Sequence, residues 1–195
     1  HQLGGILTSK LEDNYFIISK IIEKSLDIKV AEEALNLITE SVVSILGDKT
    51  AHLRPGGLMK GENQYSVSAV VMISPDRKKN IFLAQQNFPI DQKYLQIPIN
   101  HGHPGFVVKT EKPLLLANTD EYNNFEQILR TSRMGSSIYA PCIWKGKMLG
   151  QLICGAQARN TYRQGDLNIL SVFANLASIL WISHGGPESL KNFEF

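Results

Sequence analysis

The sequence is short of the features that mark specialised chains. It has two cysteines, Cys142 and Cys154, both in GSSIYAPCIWKGKMLGQLICG (135–155). A hairpin turning at Lys145 and Gly146 sets Cys142 opposite Leu149 and leaves Cys154 five positions further along. That separation is roughly 16 Å at about 3.3 Å per residue, beyond the ~7 Å Cα limit of a disulfide. An intrachain bridge is excluded. Long apolar runs are missing as well: SAVVMIS (68–74) and LLLA (114–117) fall far short of the roughly 20 residues that span a bilayer. No charged segment leads into an apolar export core at the start, so the chain is expected in the cytoplasm and away from membranes. Charge of one sign is also scarce. The 20 basic and 18 acidic residues leave a net charge of +2, without the basic stripe that neutralises a phosphate backbone, and nucleic acid is not an expected partner. The densest cluster, Arg77, Lys78 and Lys79 in PDRKKN, reads as a solvated hairpin tip because Pro, Asp and Asn favour a turn. Internal repeats and low-complexity segments are absent.

What is present is the material of one ordinary domain: 43% hydrophobic and 19% charged residues, enough to bury a full core. Leu11, Tyr15, Ile18 and Ile22 recur at helical spacing over residues 9–28, an incomplete apolar stripe that needs a partner. Val30, Ala34, Leu37, Ile38, Val42 and Ile45 predict a second helix ending at Gly47. Residues 47–65 read as a long loop, a length more often functional or mobile than idle. From Tyr65 the period changes to that of strands: YSVSAVVMIS and NIFLAQQ flank PDRKKN as an antiparallel hairpin, and LQIPIN follows as a third strand. HGHPGFVVKTEK predicts a short helix with His103 as its N-cap and Pro104 as its first residue. PLLLAN is a further strand, NNFEQILRTSR reads as helical, and the cysteine-bearing stretch returns as two strands. A last helix follows in RQGDLNILSVFANLASILW, with Leu167, Leu170, Phe173, Ala174, Ala177 and Leu180 on one face.

This order of elements, and the residues at their joints, resembles the GAF family of sensory domains. Three passages carry the likeness: SAVVMISPDRKKNIFLAQQ; LQIPINHGHPGFVVKTEKPLLLANTD; and the cysteine-bearing stretch continued through Leu180, with Pro141, Gly146, Gly150, Leu152, Tyr162, Asp166, Leu167 and Leu170. They cover residues 30–181. The resemblance implies an α+β, PAS-like fold, an antiparallel β-sheet flanked by helices with long helices at both ends. On that reading residues 1–28 are a dimerisation and signalling helix, 29–184 the GAF domain and 185–195 a C-terminal tail. It further implies a small-molecule pocket on one face of the sheet, a homodimer through the terminal helices, and a downstream output domain, as in two-component signalling; the apolar stripes set Leu11, Ile18 and Ile22 of the first helix and Leu180 and Trp181 of the last at the expected interface. The 47–65 loop departs from the family pattern and either covers the pocket or serves a partner.

The resemblance also brings alternatives to be weighed. Some GAF proteins reduce free methionine sulfoxide through clustered cysteines, but Cys142 and Cys154 stand too far apart to act as attacking and resolving thiols. Bilin-binding relatives carry a cysteine in the region that here reads EYNNFEQILRTSRMG and has none. The scattered Asn-Lys-Phe-Asp-Glu motif of cyclic-nucleotide-binding relatives is not traceable through residues 118–145. His101 and His103, two apart, fall on one side of an extended segment, yet the further ligands of a haem or iron site are not in view. GGLMKGE resembles a phosphate loop, but Glu62 stands where the lysine belongs. The helix opening at Pro104 offers the amides of Gly105, Phe106 and Val107 to an anion. Phe106, Phe125, Tyr139 and Trp144 either line a pocket or pack the core. Arg133, Ser136 and Ser137 form the expected polar wall, where the chain enters the sheet. The expected ligand-binding set is therefore His103, Gly105, Phe106, Phe125, Arg133, Ser136, Ser137 and Tyr139. No catalytic residue, metal or named cofactor is assigned. A reductase using Cys142 or Cys154 and a ligand-free dimerisation module are the other readings.

Overall fold

The computed structural model describes residues 2–130 and 132–193. Helix α1 (Gln2–Ser25) leads into α2 (Ala31–Ile45). Six strands follow: β1 (Ser66–Ile73), β2 (Lys79–Gln86), β3 (Gln96–Pro98), β4 (Leu114–Leu116), β5 (Ser136–Trp144) and β6 (Lys147–Ala156). They form one antiparallel sheet in the order β3-β2-β1-β6-β5-β4. Helix α3 (Gly102–Thr110) lies between β3 and β4, and α4 (Gln164–Ser183) and α5 (Gly186–Lys191) close the chain. The architecture is the expected α+β sheet flanked by helices.

Side chains alternate across the sheet because successive strand residues point to opposite faces. Val70, Met72, Ile138, Ala140, Cys142, Leu152 and Cys154 join the large core beneath α2 and α4. Their neighbours Ala69, Val71, Ile73, Tyr139 and Ile153 join a second cluster on the other face, with Val107 of α3. A bulge breaks the β1–β2 register between Ser68 and Val70. Ala84 takes φ 46° there, and Gln85 holds the following crossing, donating to Gln92 O and accepting from Tyr94 N, both at 2.9 Å.

Helix α2 stops where Gly47 adopts φ +82°, with space for no Cβ because Thr161 Cγ2 would lie 2.7 Å away. Asp166 ties the two long core helices together at this point. One carboxylate oxygen accepts from Gly47 N at 2.9 Å and the other from Arg163 N, also at 2.9 Å, at the start of α4. Helix α4 is long and apolar enough to cross a membrane by length and composition. Its apolar face, Leu167, Leu170, Phe173, Ala174, Ala177, Leu180 and Trp181, is buried in the domain core.

Several expectations are corrected. The described residues of 123–133, expected as a helix, form none. The spacing of Phe125, Ile128 and Leu129 is helical, but these side chains pack down onto the sheet from an irregular segment. Its backbone is held by a neighbour, as Gln92 donates to Ile128 O and accepts from Arg130 N, both at 2.9 Å. Thr131 lies outside the described residues. Helix α3 begins two residues earlier than expected, with His101 rather than His103 as N-cap, and Pro104 is its third residue, where the missing N–H is still without cost. The segment 185–195, read as a tail, contains α5, whose Leu190 is in the main core; Glu194 and Phe195 lie outside the described residues. Leu180 and Trp181, expected at a dimer interface, are buried within this chain at 5% and 3% exposure. The cysteine register is also shifted, because a bulge after Cys142 pairs it with Gly150 rather than Leu149, while Cys154 pairs with Ile138.

Candidate functional site

The face of the sheet opposite α2 and α4 is only partly covered, by α3 and the irregular segment 117–134. Between them is an open cleft of about 800 Å³. Helix α3 supplies His103, Gly105, Phe106 and Lys109; β4 supplies Leu114 and Leu116; the crossing segment supplies Glu121, Tyr122, Asn123, Asn124 and Glu126. Two close approaches hold α3 against the sheet. Gly105 sits so near the chain before it that a Cβ would come within 2.3 Å of Asn100 C. Gln151, fully buried on β6, donates to Pro104 O at 3.0 Å.

His103 is the centre of the arrangement. Its ring lies 5.5 Å from Phe125 and 6.3 Å from both Tyr122 and Tyr139, measured between centroids. Its Nδ1 is buried without a hydrogen-bond partner. Burial holds the imidazole below its ordinary pKa, partly opposed by the Glu126 carboxylate. Glu126 also pairs with His101 Nε2 at 2.8 Å. Beneath Phe125, on the middle of the sheet, remains a second cavity of only about 50 Å³, walled by residues including Val67, Phe82, Ile153, Ser137 and Tyr139. Phe125, Ile128 and Leu129 fill most of that position.

The expected residues therefore divide. His103, Gly105 and Phe106 line the large cleft. Phe125, Ser137 and Tyr139 line the small cavity next to it; Tyr139 is buried, its hydroxyl 3.1 Å from Ser137 Oγ, and burial pushes its pKa up to about 12. Arg133 stacks over Phe125 at 4.7 Å and donates to Thr119 O at 3.3 Å, so it braces the segment above the small cavity. Ser136 is on the other face of the sheet, its Oγ accepting from Tyr162 N at 3.2 Å, as the alternation along β5 requires. The anion site expected on Gly105, Phe106 and Val107 is also corrected: Gly105 N already donates to His101 O at 3.0 Å, and a helix starting at Gly102 takes the other two amides inside its own ladder.

Asn100, Lys109, Glu121, Tyr122, Asn123, Asn124 and Glu126 were not expected in the site. The Asn-Asn pair at 123–124 was the available signal, since such pairs favour turns over helix interiors. His101 and His103 do not share one side of an extended strand, because one caps α3 and the other stands in its first turn. Among the described residues no group of three or more His, Cys, Asp or Glu side chains is placed to hold a metal ion. Both thiols are fully buried on the helix-covered face, and burial pushes Cys142 up to about 12 and Cys154 higher still. Neither reaches the cleft.

The 47–65 loop does not cover the cleft; it packs along the end of β6. Arg159 N donates to Gly57 O at 2.9 Å and Asn63 N to Gln157 Oε1 at 3.0 Å. The buried Arg159 guanidinium then bridges two carboxylates, Glu62 from this loop and Asp120 beside the cleft, the latter at 2.9 Å from Nε.

Comparison with known families matches the GAF domain model to residues 31–181. Comparison with curated proteins gives no match. Among solved structures, the GAF domain of a phosphoenolpyruvate-protein phosphotransferase from Coxiella burnetii superposes with a TM-score of 0.69 at 16% identity, covering 90% of this chain and 96% of that one. Residues 122 to 287 of a methyl-accepting chemotaxis protein give 0.63 at 17%, covering 85% and 96%. The free methionine-R-sulfoxide reductase of Neisseria meningitidis, solved with its substrate, gives 0.64 at 12%, covering 89% and 90%. At these identities the likeness is one of fold.

Proposed function

The chain belongs to the GAF domain family, and from that premise we propose that it is a non-catalytic sensory or regulatory module that takes a small molecule in the cleft beside His103. The observation that carries this reading is the cleft itself. Its volume of about 800 Å³ lies inside the range of roughly 300–1,000 Å³ usual for small-molecule sites, and its wall combines the rings of Phe106 and Tyr122 with that of His103, whose buried Nδ1 has no partner. The same fold occurs in the GAF domain of a phosphoenolpyruvate-protein phosphotransferase and in a segment of a methyl-accepting chemotaxis protein, which agrees with a regulatory role. A reductase reading lacks its chemistry, because both thiols are buried on the opposite face and held protonated.

The signal is relayed through a homodimer of the terminal helices. Helix α1 has two apolar edges. Ile17, Ile18 and Ile21 pack on the domain, so Ile18 leaves the expected interface, whereas Leu11, Tyr15 and Ile22 stand 56%, 69% and 44% exposed. On α4, Val172 and Ile179 form the outward pair, one heptad apart. These replace Leu180 and Trp181 as the α4 contribution to a two-fold interface of about 1,200–2,000 Å².

A ligand-free scaffold is the second reading, favoured by the Phe125 plug that reduces the mid-sheet cavity to about 50 Å³. Thermal melts against a metabolite library separate the two. A ligand at 100 times its Kd stabilises the native state by about 2.7 kcal/mol, and the shift is expected to vanish in His103→Ala. Absence of any shift across metabolites, nucleotides and haem transfers the argument to the scaffold. For the dimer, sedimentation of Leu11→Glu/Tyr15→Glu should give monomer where the parent chain gives dimer; a parent chain that is monomeric at high micromolar concentration overturns the interface.

A further inference from the structure

The cations that are scattered in the sequence meet at one end of the fold. Met72 pairs with Gly150, Ile73 with Asn80 and Trp144 with Lys147, so the turn after β1 and the turn before β6 share an end of the sheet. Helix α5 packs on the same end. Gly186 lies directly on the Trp181 indole, where a Cβ would come within 2.1 Å of the ring. Between the two turns and α5 is a cavity of about 220 Å³, separate from the cleft. Its apolar lining includes Leu149, Trp181 and Leu190, and its charged lining is Arg77, Lys147 and Lys191. Lys78 and Lys145 stand in the adjoining turns.

The nearby carboxylates are already engaged. Asp76 accepts from Ser74 Oγ at 2.6 Å and from Lys78 N at 3.0 Å, and Glu188 pairs with Lys191 at 2.7 Å. Arg77 donates one N–H to Met148 O at 3.3 Å, which fixes the guanidinium at the cavity and leaves most of its donors for another acceptor. We propose that this end is a docking site for an acidic peptide segment, which seats one bulky apolar side chain in the cavity and sets its carboxylates against Arg77 and Lys147, and against Lys191, whose ammonium it shares with Glu188. The volume suits a single side chain, below the roughly 300 Å³ at which small-molecule sites begin. The apolar groups are recessed, with Trp181 only 3% exposed. The site therefore offers no wedge to a membrane, and its apolar floor of Leu149, Trp181 and Leu190 suits an apolar side chain better than a phosphodiester. This inference does not depend on the cleft or its ligand.

The test is fluorescence anisotropy of fluorescein-labelled Ac-EEDFEED-NH2 with the whole chain, against the same peptide with Ala for Phe. Binding is expected to weaken about tenfold when the peptide loses its phenylalanine, and about tenfold again in Lys147→Glu/Lys191→Glu. It should also weaken between about 50 and 300 mM salt, as exposed charges are screened. Both lysines are on the surface, and an unchanged melting temperature shows that the variant is folded. In a Trp144→Phe background, Trp181 is the sole indole, and its emission should move with the phenylalanine peptide alone. Equal binding of the two peptides, no effect of the charge reversal, no binding at all, or tighter lysine-dependent binding to phosphatidylserine vesicles would each overturn the proposal.

Discussion

The two faces of the sheet are made from the same strands, yet they do different work. The face under α2 and α4 is sealed: Leu35, Ile38, Leu152, Leu170 and Phe173 have no exposure, and the polar groups that enter it are hydrogen-bonded, as Ser136 is to Tyr162 N and Ser68 to Thr39 O. The opposite face is covered by one short helix and an irregular crossing, and keeps a cleft, a small void and several polar atoms without partners, among them His103 Nδ1, Ser132 Oγ and Gln151 Oε1. Stability is concentrated on the first face and room for a ligand on the second. A strand residue thus acquires its role from parity: Ser136 belongs to the core and Ser137, beside it, to the site.

The largest expected effect tests that division directly. Phe173→Ala empties a fully buried position and should cost about 3–5 kcal/mol of unfolding free energy. Phe125→Ala removes a half-buried ring above the small cavity and should cost only about 1 kcal/mol, while opening that cavity toward the cleft. Urea denaturation of both variants measures the contrast. If the Phe125 variant loses as much as the Phe173 variant, the plug is core and the open face is not a separate region.

How much of this was legible in the sequence follows the same line. The strands, α2 and α4 were readable because burial on one or both faces imposes a period on the residues, and because the helix ends carry local signals, the positive φ of Gly47 and the bond from Arg163 N to Asp166. The crossing from 122 to 130 was not readable. Its apolar residues repeat at helical spacing, but tertiary hydrogen bonds from Gln92 decide its backbone, and nothing local in the sequence announces a partner more than 30 residues away. Tyr122, Asn123, Asn124 and Glu126, which line the cleft and were missed in the sequence, are on that crossing. Parity was also overlooked at Ser136, although the alternation of β5 contained it. The cationic end was hidden for a related reason, since Arg77, Lys147 and Lys191 are brought together only by strand pairing and the return of α5.

A smaller effect is expected at the joint between the faces. Arg159→Met leaves Glu62 and Asp120 without their shared cation. Loss of one partner of a fully buried pair costs about 3–5 kcal/mol. Here the carboxylates retain 17% and 33% side-chain exposure, so about 1–3 kcal/mol is expected after solvent screening. Hydrogen exchange should quicken in 57–62 and 119–121 together, because Arg159 holds both. Faster exchange in only one of them would show that the loop and the cleft edge are not joined through this residue. Acid should mimic the variant. The hydrogen bond and charge of Arg159 depress the Asp120 pKa below its ordinary 3.8, so the contribution is complete above that value and is lost as pH falls through the lower folded one.

The smallest effect is at His103, where the sign separates burial from charge. An unfolded imidazole titrates near 6.5 and the folded one lower, because burial outweighs the Glu126 carboxylate. Between those two values the unfolded chain binds more protons, so stability falls as pH drops from 6.5 to the folded pKa; above 6.5 His103 contributes no pH dependence. The ring is only about half-buried, which limits the loss to under about 1 kcal/mol. Denaturation of the parent chain and of His103→Gln at several pH values between about 7.5 and 5 isolates this contribution, since only the parent has it, and an NMR titration of the His103 ring reports the folded pKa directly. A value above 6.5 would mean that Glu126 governs the ring and that the imidazolium faces the cleft. The preferred ligand would then carry an anion at that position rather than a group that packs on a neutral ring.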